Sequence, residues 1–353
     1  MSMMTSSQLN ATTAKLRAVY GKRLRIEDYD ALVTKKSVSE IADYLKHATY
    51  YRSALANVET GTIHRGYLEL ILRRNLFETY ERFCKFQQLD RVEFFRFQLV
   101  YYEIRELLRG ILYMNAGSGD DFIAAVPAYL LSRASFPILE LGKAKDFSAV
   151  LKLIGHTPYR QVLEHIPVSA DGRADYTQCE LQLRTYYLKW LHDLVERNFR
   201  GKDRDALLEQ IHMQTDLINI INAYRMKTFF HAGPEELNRC MLPFYGRLSQ
   251  KRMQALYHAA DTETYMRLLS DTIYGRQLPE QLPELTPAEL ERALTRLRCN
   301  LARRAISTSQ NAAVSIYSMM FLLENELNNI ITIIEGVRYE KNVPYIQSLL
   351  VIA

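Results

Sequence analysis

The sequence is poor in the residues that make tight turns, and in cysteine. Its 353 residues include only 14 glycines and 10 prolines, too few for an all-β protein with a turn about every ten residues. The four cysteines, Cys84, Cys179, Cys240 and Cys299, lie far apart and form no CxxC pair, which argues against a disulfide framework or a zinc site. The composition therefore favours a helical protein with reduced thiols.

Segments for secretion or membrane insertion are also missing. Residues 1–16 lack a basic start followed by an apolar core, so we predict no signal peptide and a cytoplasmic protein. Residues 306–323 are uncharged and long enough to span a bilayer. They contain many Ser, Thr, Gln and Asn side chains, however, and these are costly in hydrocarbon. We predict a buried helix here and no membrane span.

The overall composition is that of a folded protein and names no partner. Hydrophobic residues make up 48% of the chain and charged residues 24%, which argues against disorder. The net charge is +5, but basic and acidic residues are interleaved almost everywhere, so nucleic-acid binding is not indicated. The length predicts two or three domains, or internal repeats.

One helical pattern occurs three times. In DLINIINAYRMKTFF (216–230) an acid is followed by apolar residues at helical spacing, and the same order recurs 113 residues earlier and 110 residues later. The acids are Glu103, Asp216 and Glu326. The apolar sets that follow them are Ile104, Leu107, Leu108 and Ile111; Leu217, Ile220, Ile221 and Tyr224; and Leu327, Ile330, Ile331 and Ile334.

Two further landmarks precede each acid in the same order. About thirty residues upstream lies a Leu-Arg pair, and earlier still a Tyr-Arg pair. These landmarks are Leu72-Arg73, Leu183-Arg184 and Leu297-Arg298, preceded by Tyr51-Arg52, Tyr159-Arg160 and a looser version at Tyr265 and Arg267. The pattern predicts three helical repeats of about 110 residues, at 1–121, 122–234 and 235–353, that pack as one body.

Each repeat is predicted to contain several helices. TPAELERA opens one that runs to Ala305, with Thr286 as N-cap, Pro287 at the first helical position and Glu289 as the capping-box acid. Turn-forming residues predict helix breaks at 114–121, 169–175, 200–205, 231–236 and 275–287. The glycine loop at 117–120 is interpreted as a plain helix connection.

The sequence contains no recognisable catalytic arrangement. It has no GxxxxGK[ST], GxGxxG or HExxH motif, and its eight histidines are scattered. Asp120-Asp121 is like the start of a magnesium-binding DDxxD motif, but the next acid does not follow at the required spacing. Glu324 and Glu326 point in different directions on a helix and form no acid-base pair. We predict no metal, no cofactor and no enzymatic activity.

The side of the repeated helix opposite its apolar residues is polar and sparsely charged. Two interpretations stay open: this side packs on helices of its own repeat, or three equivalent helices line a shared central surface. We adopt the second as a hypothesis. The candidate partner-binding residues are then Glu106, Arg109, Asn219, Asn222, Asn329 and Thr332.

The repeat pattern, together with RAVYGKRLRIEDYDALV (17–33), resembles the C-subunit family of V-type and A-type rotary ATPases, whose eukaryotic counterpart is the d subunit of the vacuolar ATPase. The likeness extends from about residue 11 to the end of the chain. The third repeat departs most from the pattern, because Met266 follows Tyr265 where the other two read Tyr-Arg.

The resemblance implies an all-α funnel of three pseudo-symmetric repeats around a central cavity. It also implies a non-catalytic subunit on the cytoplasmic face of the membrane, with the central shaft subunits and the membrane proteolipid ring as partners. Torque would pass through it between ATP hydrolysis or synthesis and transport of H⁺ or Na⁺. An unrelated all-helical scaffold or adaptor is the alternative, and a helical enzyme is a third.

Overall fold

A computed structural model describes residues 6–86, 89, 92–278 and 284–352. The structure is 74% helical. Within these ranges the only β pairing is an isolated antiparallel bridge between Val168 and Ala174. The prediction of an all-α protein is confirmed.

The α-helices of the described chain vary widely in length. In chain order they are α1 (Ser6–Tyr20), α2 (Ile26–Val33), α3 (Val38–Ala48), α4 (Arg52–Leu55), α5 (Arg65–Phe86), α6 (Phe97–Ala116), α7 (Gly119–Ala125), α8 (Phe147–Leu153), α9 (Tyr159–Leu163), α10 (Tyr176–Asn198), α11 (Gly201–Phe230), α12 (Pro234–Cys240), α13 (Gln250–Tyr257), α14 (Thr262–Ser270), α15 (Pro287–Thr308), α16 (Ala312–Arg338) and α17 (Val343–Leu349).

Contacts between these elements divide the chain into two compact units. Unit 1 contains the described residues of 1–91, 201–210 and 277–353, and unit 2 those of 92–200 and 211–276. In unit 1, α16 packs against α15, α5 and α1. In unit 2, α6 packs against α10 and α7, and α10 also contacts α9. The division into three repeats at 1–121, 122–234 and 235–353 stays a prediction.

The predicted start of α15 is confirmed in detail. The Thr286 hydroxyl accepts a hydrogen bond from the Glu289 amide (3.3 Å), and the Glu289 carboxylate accepts one from the Thr286 amide (2.8 Å). This reciprocal pair satisfies two amides that the first helical turn would leave without partners. The helix runs three residues beyond the predicted end at Ala305.

Most of the predicted breaks lie between helices, and one is placed too broadly. The breaks at 114–121, 169–175 and 231–236 interrupt or separate helices. The break at 200–205 is nearly absent, because α11 already begins at Gly201. Part of the break at 275–287 lies outside the described residues.

The prediction of a buried helix over 306–323 was wrong in part. α15 ends at Thr308 and α16 begins at Ala312. At the junction, the Ser309 hydroxyl accepts from the Asn311 amide (3.0 Å) and the Asn311 side chain caps the Ala313 amide (2.8 Å). Such local side-chain bonds compete with helix continuation. Across the described residues, no helix combines the length and the apolar character that a membrane span needs.

The glycine loop after α6 is a helix connection, as interpreted. Gly117 ends α6 in the left-handed region, with a φ of 68°, which favours glycine. At Gly119 a Cβ atom would lie 1.9 Å from the Gly142 carbonyl oxygen, so only glycine permits this approach. Both residues let α7 start immediately after α6.

The three copies of the repeated pattern fall on the long helices α6, α11 and α16. Their apolar residues are buried except for Ile331, which is half-buried. Each helix is followed by a residue in the left-handed region: Gly117, His231 (φ 51°) and Glu340 (φ 52°). The repeat therefore extends to the way these helices end.

Candidate functional site

The acid that opens each copy of the pattern is buried. Glu103 is 1% exposed, Asp216 0% and Glu326 4%. A buried carboxylate is unfavourable unless hydrogen-bond donors replace the water it has lost. The donors around these three acids therefore show how each long helix is attached to the rest of its unit.

Glu326 on α16 accepts hydrogen bonds from two tyrosines and one amide. Its Oε1 accepts from the hydroxyls of Tyr50 (2.6 Å) and Tyr51 (3.0 Å), and its Oε2 accepts from the Leu24 amide (2.8 Å). The two tyrosine rings stack with centroids 4.3 Å apart. The carboxylate thus joins α16 to the first fifty or so residues of the chain.

Glu103 on α6 is bound in a similar way. Its Oε2 accepts from the Tyr159 hydroxyl (2.5 Å) and its Oε1 from the Ser135 amide (2.5 Å). The Tyr159 ring also makes an edge contact with Phe136 (6.0 Å between centroids). Glu103 therefore joins α6 to the segment from Ser135 to α9.

Asp216 on α11 accepts four hydrogen bonds. They come from the Tyr274 hydroxyl (2.8 Å) and from the consecutive amides of Gly246 (2.8 Å), Arg247 (2.7 Å) and Leu248 (2.9 Å). A Cβ atom on Gly246 would lie 2.3 Å from the His212 carbonyl oxygen. The turn can approach α11 this closely only because residue 246 is glycine.

The three acids share one arrangement, in which each binds a tyrosine hydroxyl and at least one backbone amide. Tyr51 and Tyr159 are the tyrosines of the predicted Tyr-Arg landmarks, so two landmarks of the sequence pattern meet in space. The third landmark, Tyr265, donates instead to the Ile220 carbonyl (2.8 Å), and Tyr274 binds the acid. The contact of Tyr265 thus differs from those of Tyr51 and Tyr159, as its sequence landmark does.

These acid-tyrosine contacts cross the predicted repeat boundaries. Glu103 lies in the first predicted repeat and Tyr159 in the second; Asp216 lies in the second and Tyr274 in the third. Glu326, in the last repeat, binds Tyr51 of the first. Each acid therefore joins one predicted repeat to the next, and the last joins the third predicted repeat to the first.

Burial sets the protonation chemistry of these groups. Loss of hydration raises the pKa of Glu326 and of Asp216 above the ordinary range, although the donated hydrogen bonds oppose the shift. Burial, together with the neighbouring Glu326 carboxylate, also raises the pKa of Tyr50 and of Tyr51 well above 10.0. The tyrosines consequently stay protonated and remain donors.

The residue three positions after the acid has a second role in two of the helices. Asn329 forms a pair of hydrogen bonds with the backbone of Val351: its amide group donates to the carbonyl (2.9 Å) and its carbonyl accepts from the N–H (3.0 Å). Asn219 forms the same pair with Leu242 (3.1 and 2.9 Å). A primary amide matches a peptide group in this way because it offers one donor and one acceptor.

Glu106 occupies the equivalent position on α6 but binds arginine side chains. Its carboxylate is fully buried and accepts from Arg109 Nη1 (2.6 Å) and from Arg105 Nε (3.2 Å). The Arg105 guanidinium lies 4.5 Å from the Tyr102 ring centroid. Arg109 lies 5.7 Å from Phe122. Helix α6 therefore holds a charged cluster where α11 and α16 hold a neutral amide.

The six candidate partner-binding residues fall into two groups. Glu106, Asn219 and Asn329 are buried and form hydrogen bonds with other residues of their own unit. Arg109, Asn222 and Thr332 keep part of their surface exposed. Contact of the six residues with a partner stays a prediction.

Among the described residues, no group of three or more His, Cys, Asp or Glu side chains is arranged to hold a metal ion. Burial raises the pKa of the Cys179 thiol to about 12 and that of Cys299 to about 11, which suppresses the reactive thiolate. Asp120 and Asp121 are exposed at the start of α7.

Sequence reasoning used the three acids as markers and missed their donors. A carboxylate at the head of an apolar helical stripe is expected to be buried and to require hydroxyl or amide donors. The Tyr-Arg landmarks were two of those donors. Tyr274 and the amides of 246–248 carry no pattern that separates them from other turn residues, because an amide can donate from any sequence.

The fold and the buried acids define the class: an all-α protein whose long helices α6, α11 and α16 each carry a buried carboxylate that binds a tyrosine hydroxyl. Comparison with known families shows that the chain belongs to the family described as ATP synthase (C/AC39) subunit, which matches residues 12–348.

Two relatives agree with this assignment. The C subunit of the A-type ATP synthase of Methanosarcina mazei is 24% identical over 337 residues, which covers 94% of this chain and 89% of the relative. The corresponding protein of Methanosarcina barkeri is 25% identical over 242 residues, which covers 67% of this chain and 62% of the relative. The resemblance stated from the sequence is confirmed.

Proposed function

We propose that the chain is the non-catalytic central-stalk subunit of a V/A-type rotary ATPase. It would couple the rotating shaft to the membrane proteolipid ring, so that torque passes between ATP hydrolysis or synthesis and transport of H⁺ or Na⁺. The observation that carries this proposal is the family match over nearly the whole chain. Both relatives are named as subunits of A-type ATP synthases.

The contacts of the buried acids support a mechanical role. A body that transmits torque has to resist deformation, and densely packed interiors have low compressibility. Each long helix is additionally fixed to another part of the chain by charge-assisted hydrogen bonds, such as those from Tyr51 to Glu326 and from Tyr159 to Glu103. These bonds would restrain sliding of a helix along its neighbours.

The placement of the subunit is part of the same proposal. It would lie on the cytoplasmic face of the membrane as a funnel of three helical repeats, with the shaft subunits at one end and the proteolipid ring at the other. The partly exposed polar residues Arg109, Asn222 and Thr332 would face the central cavity. The protein would bind no nucleic acid and no cofactor.

A reconstitution experiment tests the proposal. Source membranes are solubilised in detergent, and the rotary ATPase is purified with and without this chain and placed in vesicles. We expect the complex without the chain to hydrolyse ATP but to pump no ions, and added chain to restore pumping. The chain alone should not hydrolyse ATP.

The controls separate coupling from general stability of the complex. Hydrolysis by the depleted complex must persist, because its loss would indicate damage to the catalytic subunits. A tagged copy of the chain should bring down both shaft subunits and proteolipid. The proposal fails if pumping is the same with and without the chain, or if neither partner copurifies.

A further inference from the structure

We infer that Arg105 and Arg109 form the docking point for an acidic side chain of one partner subunit, and that this contact selects the partner's orientation among the three repeats. The inference rests on the proposed function, because it takes the shaft to be that partner. Its starting point is the charged cluster formed by Arg105, Glu106 and Arg109 on α6. This cluster has no equivalent on α11 or α16.

The two guanidinium groups are held in fixed positions on one side of α6. Glu106 Oε1 lies 3.2 Å from both Nε and Nη2 of Arg105, and Oε2 lies 2.6 Å from Arg109 Nη1. Contacts with Tyr102, Tyr113 and Phe122 restrict the guanidinium planes further. Pre-positioned donors lose little side-chain entropy when they bind a carboxylate.

The cluster carries one positive charge more than its own carboxylate neutralises. In the described part of the chain, Glu106 is the only carboxylate within ion-pair distance of either arginine. Arg105 Nη1, Arg109 Nε and Arg109 Nη2 have no hydrogen-bond acceptor among the described residues. The arginine side chains are 25% and 29% exposed, so the cluster is not closed off from the surface of its unit.

The register of the repeats shows that only the first carries this charge. Counted from the buried acid, Arg105 corresponds to Ile218 and Asn328. Arg109 corresponds to Asn222 and Thr332. The positions of Arg105 and Arg109 are cationic in one copy and neutral in the other two. A partner that binds all three repeats would distinguish the first by this charge.

The chemistry of the donors indicates the class of partner group. Two guanidiniums that already share one carboxylate suit a second carboxylate, from Asp or Glu, through paired N–H donors. In a body with three similar repeats, a shaft could bind in three orientations of nearly equal free energy. One acidic side chain on the shaft would favour the orientation that places it at Arg105 and Arg109.

A variant in which Gln replaces all three charged residues of the cluster tests this inference, because it leaves no unpaired buried charge. We would measure the dissociation constant of the full chain for purified shaft subunits from the same organism. The triple variant Arg105→Gln/Glu106→Gln/Arg109→Gln should bind roughly tenfold more weakly at about 0.1 M NaCl. The difference should shrink at about 1 M NaCl, where the Debye length falls to about 3 Å. Images of the complex should show the shaft in more than one orientation.

Two further variants separate docking from support of α6. Arg184→Gln removes the same net charge from an exposed ion pair of unit 2 and should leave the affinity unchanged. Arg105→Lys/Arg109→Lys keeps both positive charges beside Glu106, so it should lose less affinity than the triple variant. If it loses as much affinity as the triple variant, the cluster only supports the helix and the inference fails.

The remaining outcomes distinguish this inference from the proposed function. If the wild type binds shaft subunits and the triple variant binds equally well in one orientation, the inference fails and the proposed function stands. If the triple variant loses affinity only for vesicles of anionic phospholipid, the docking of an acidic side chain is wrong. If the wild type does not bind the shaft, both fail.

Discussion

At the scale of single residues, each buried acid accepts hydrogen bonds from donors that lie outside its own helix. Asp216 accepts from three consecutive amides and a hydroxyl, which gives a turn without regular structure a fixed position against α11. A carboxylate suits this task because it only accepts and has room for about four donors. The cost is desolvation, which raises the pKa of Asp216 and of Glu326.

Replacing Glu326 with Gln should change how stability depends on pH. Because burial raises the Glu326 pKa above its ordinary 4.5, the native state holds this proton more tightly than the unfolded chain. The resulting stability is fully present below pH 4.5 and is lost as pH rises through the native pKa. Between pH 4.5 and the native pKa, the free energy of unfolding should fall less steeply with pH in Glu326→Gln than in the wild type. The difference in slope should be up to about 1.4 kcal/mol per pH unit.

Urea unfolding at a series of pH values measures this effect. Exposed Glu263 on α14 provides the control, because Glu263→Gln should leave the pH profile unchanged. A Glu326→Gln profile parallel to that of the wild type would show that the carboxylate does not titrate differently in the two states.

The asparagines three residues after the acid give a second prediction. Asn219→Ala should reduce the free energy of unfolding by about 1–3 kcal/mol, because the buried N–H and C=O of Leu242 lose their partners. Asn329→Ala should act similarly through Val351. Asn222→Ala, which removes a half-buried amide on the same helix as Asn219, should change stability by less than about 0.5 kcal/mol. Equal effects at Asn219 and Asn222 would contradict the role assigned to the paired hydrogen bonds.

At the scale of elements, the long helices end alike but at different conformational cost. Gly117 follows α6 and adopts its positive φ without strain, whereas His231 and Glu340 adopt the same region with a Cβ atom. They are the non-glycine residues with positive φ among those described. A left-handed conformation costs an ordinary residue about 1–2 kcal/mol.

Glycine at either position should therefore stabilise the protein. His231→Gly and Glu340→Gly are each expected to raise the free energy of unfolding by about 0.5–1 kcal/mol, somewhat less than the strain because glycine also gains entropy in the unfolded chain. Gly117→Ala is the reciprocal control and should destabilise. Chemical denaturation measures all three, and a loss of stability on His231→Gly would show that its side chain makes a compensating contact.

The sequence predicted the secondary-structure elements better than the contacts that join one element to another. Helical periodicity and the capping box of Thr286 and Glu289 placed α15 correctly, because both depend on residues close in sequence. The break at 309–311 escaped prediction, since no glycine or proline marks it and its cause is one pair of local side-chain hydrogen bonds. The candidate site was harder to predict than the helices. The burial of Glu106 and Asn219 depends on which residues pack over them, and helix periodicity does not specify those residues.

At the scale of the whole molecule, residues far apart in sequence complete unit 1. Arg17 on α1 donates to the carbonyls of Ile306 (3.1 Å), Ser307 (3.1 Å) and Ser309 (3.0 Å) at the end of α15. Leu24, Tyr50 and Tyr51 bind Glu326. These contacts span about 275 to 302 residues, whereas unit 2 is built from residues 92–200 and 211–276.

Unit 2 should therefore fold before unit 1. Closing a longer loop costs more entropy, and non-local contacts slow folding. In refolding followed by pulsed hydrogen exchange and mass spectrometry, amides of α6 and α10 should gain protection before those of α1 and α16. Simultaneous protection of all four helices would indicate that the two units fold cooperatively as one.

The contacts that cross repeat boundaries also govern how chimaeric proteins can be made from two homologous parents. A crossover in 169–175 leaves Glu103 with Tyr159, and Asp216 with Tyr274, from the same parent. Any single crossover between Tyr51 and Glu326 nevertheless combines a carboxylate from one parent with donors from the other. Within that range, only an exchange bounded by two crossovers can keep all three carboxylates with their native donors.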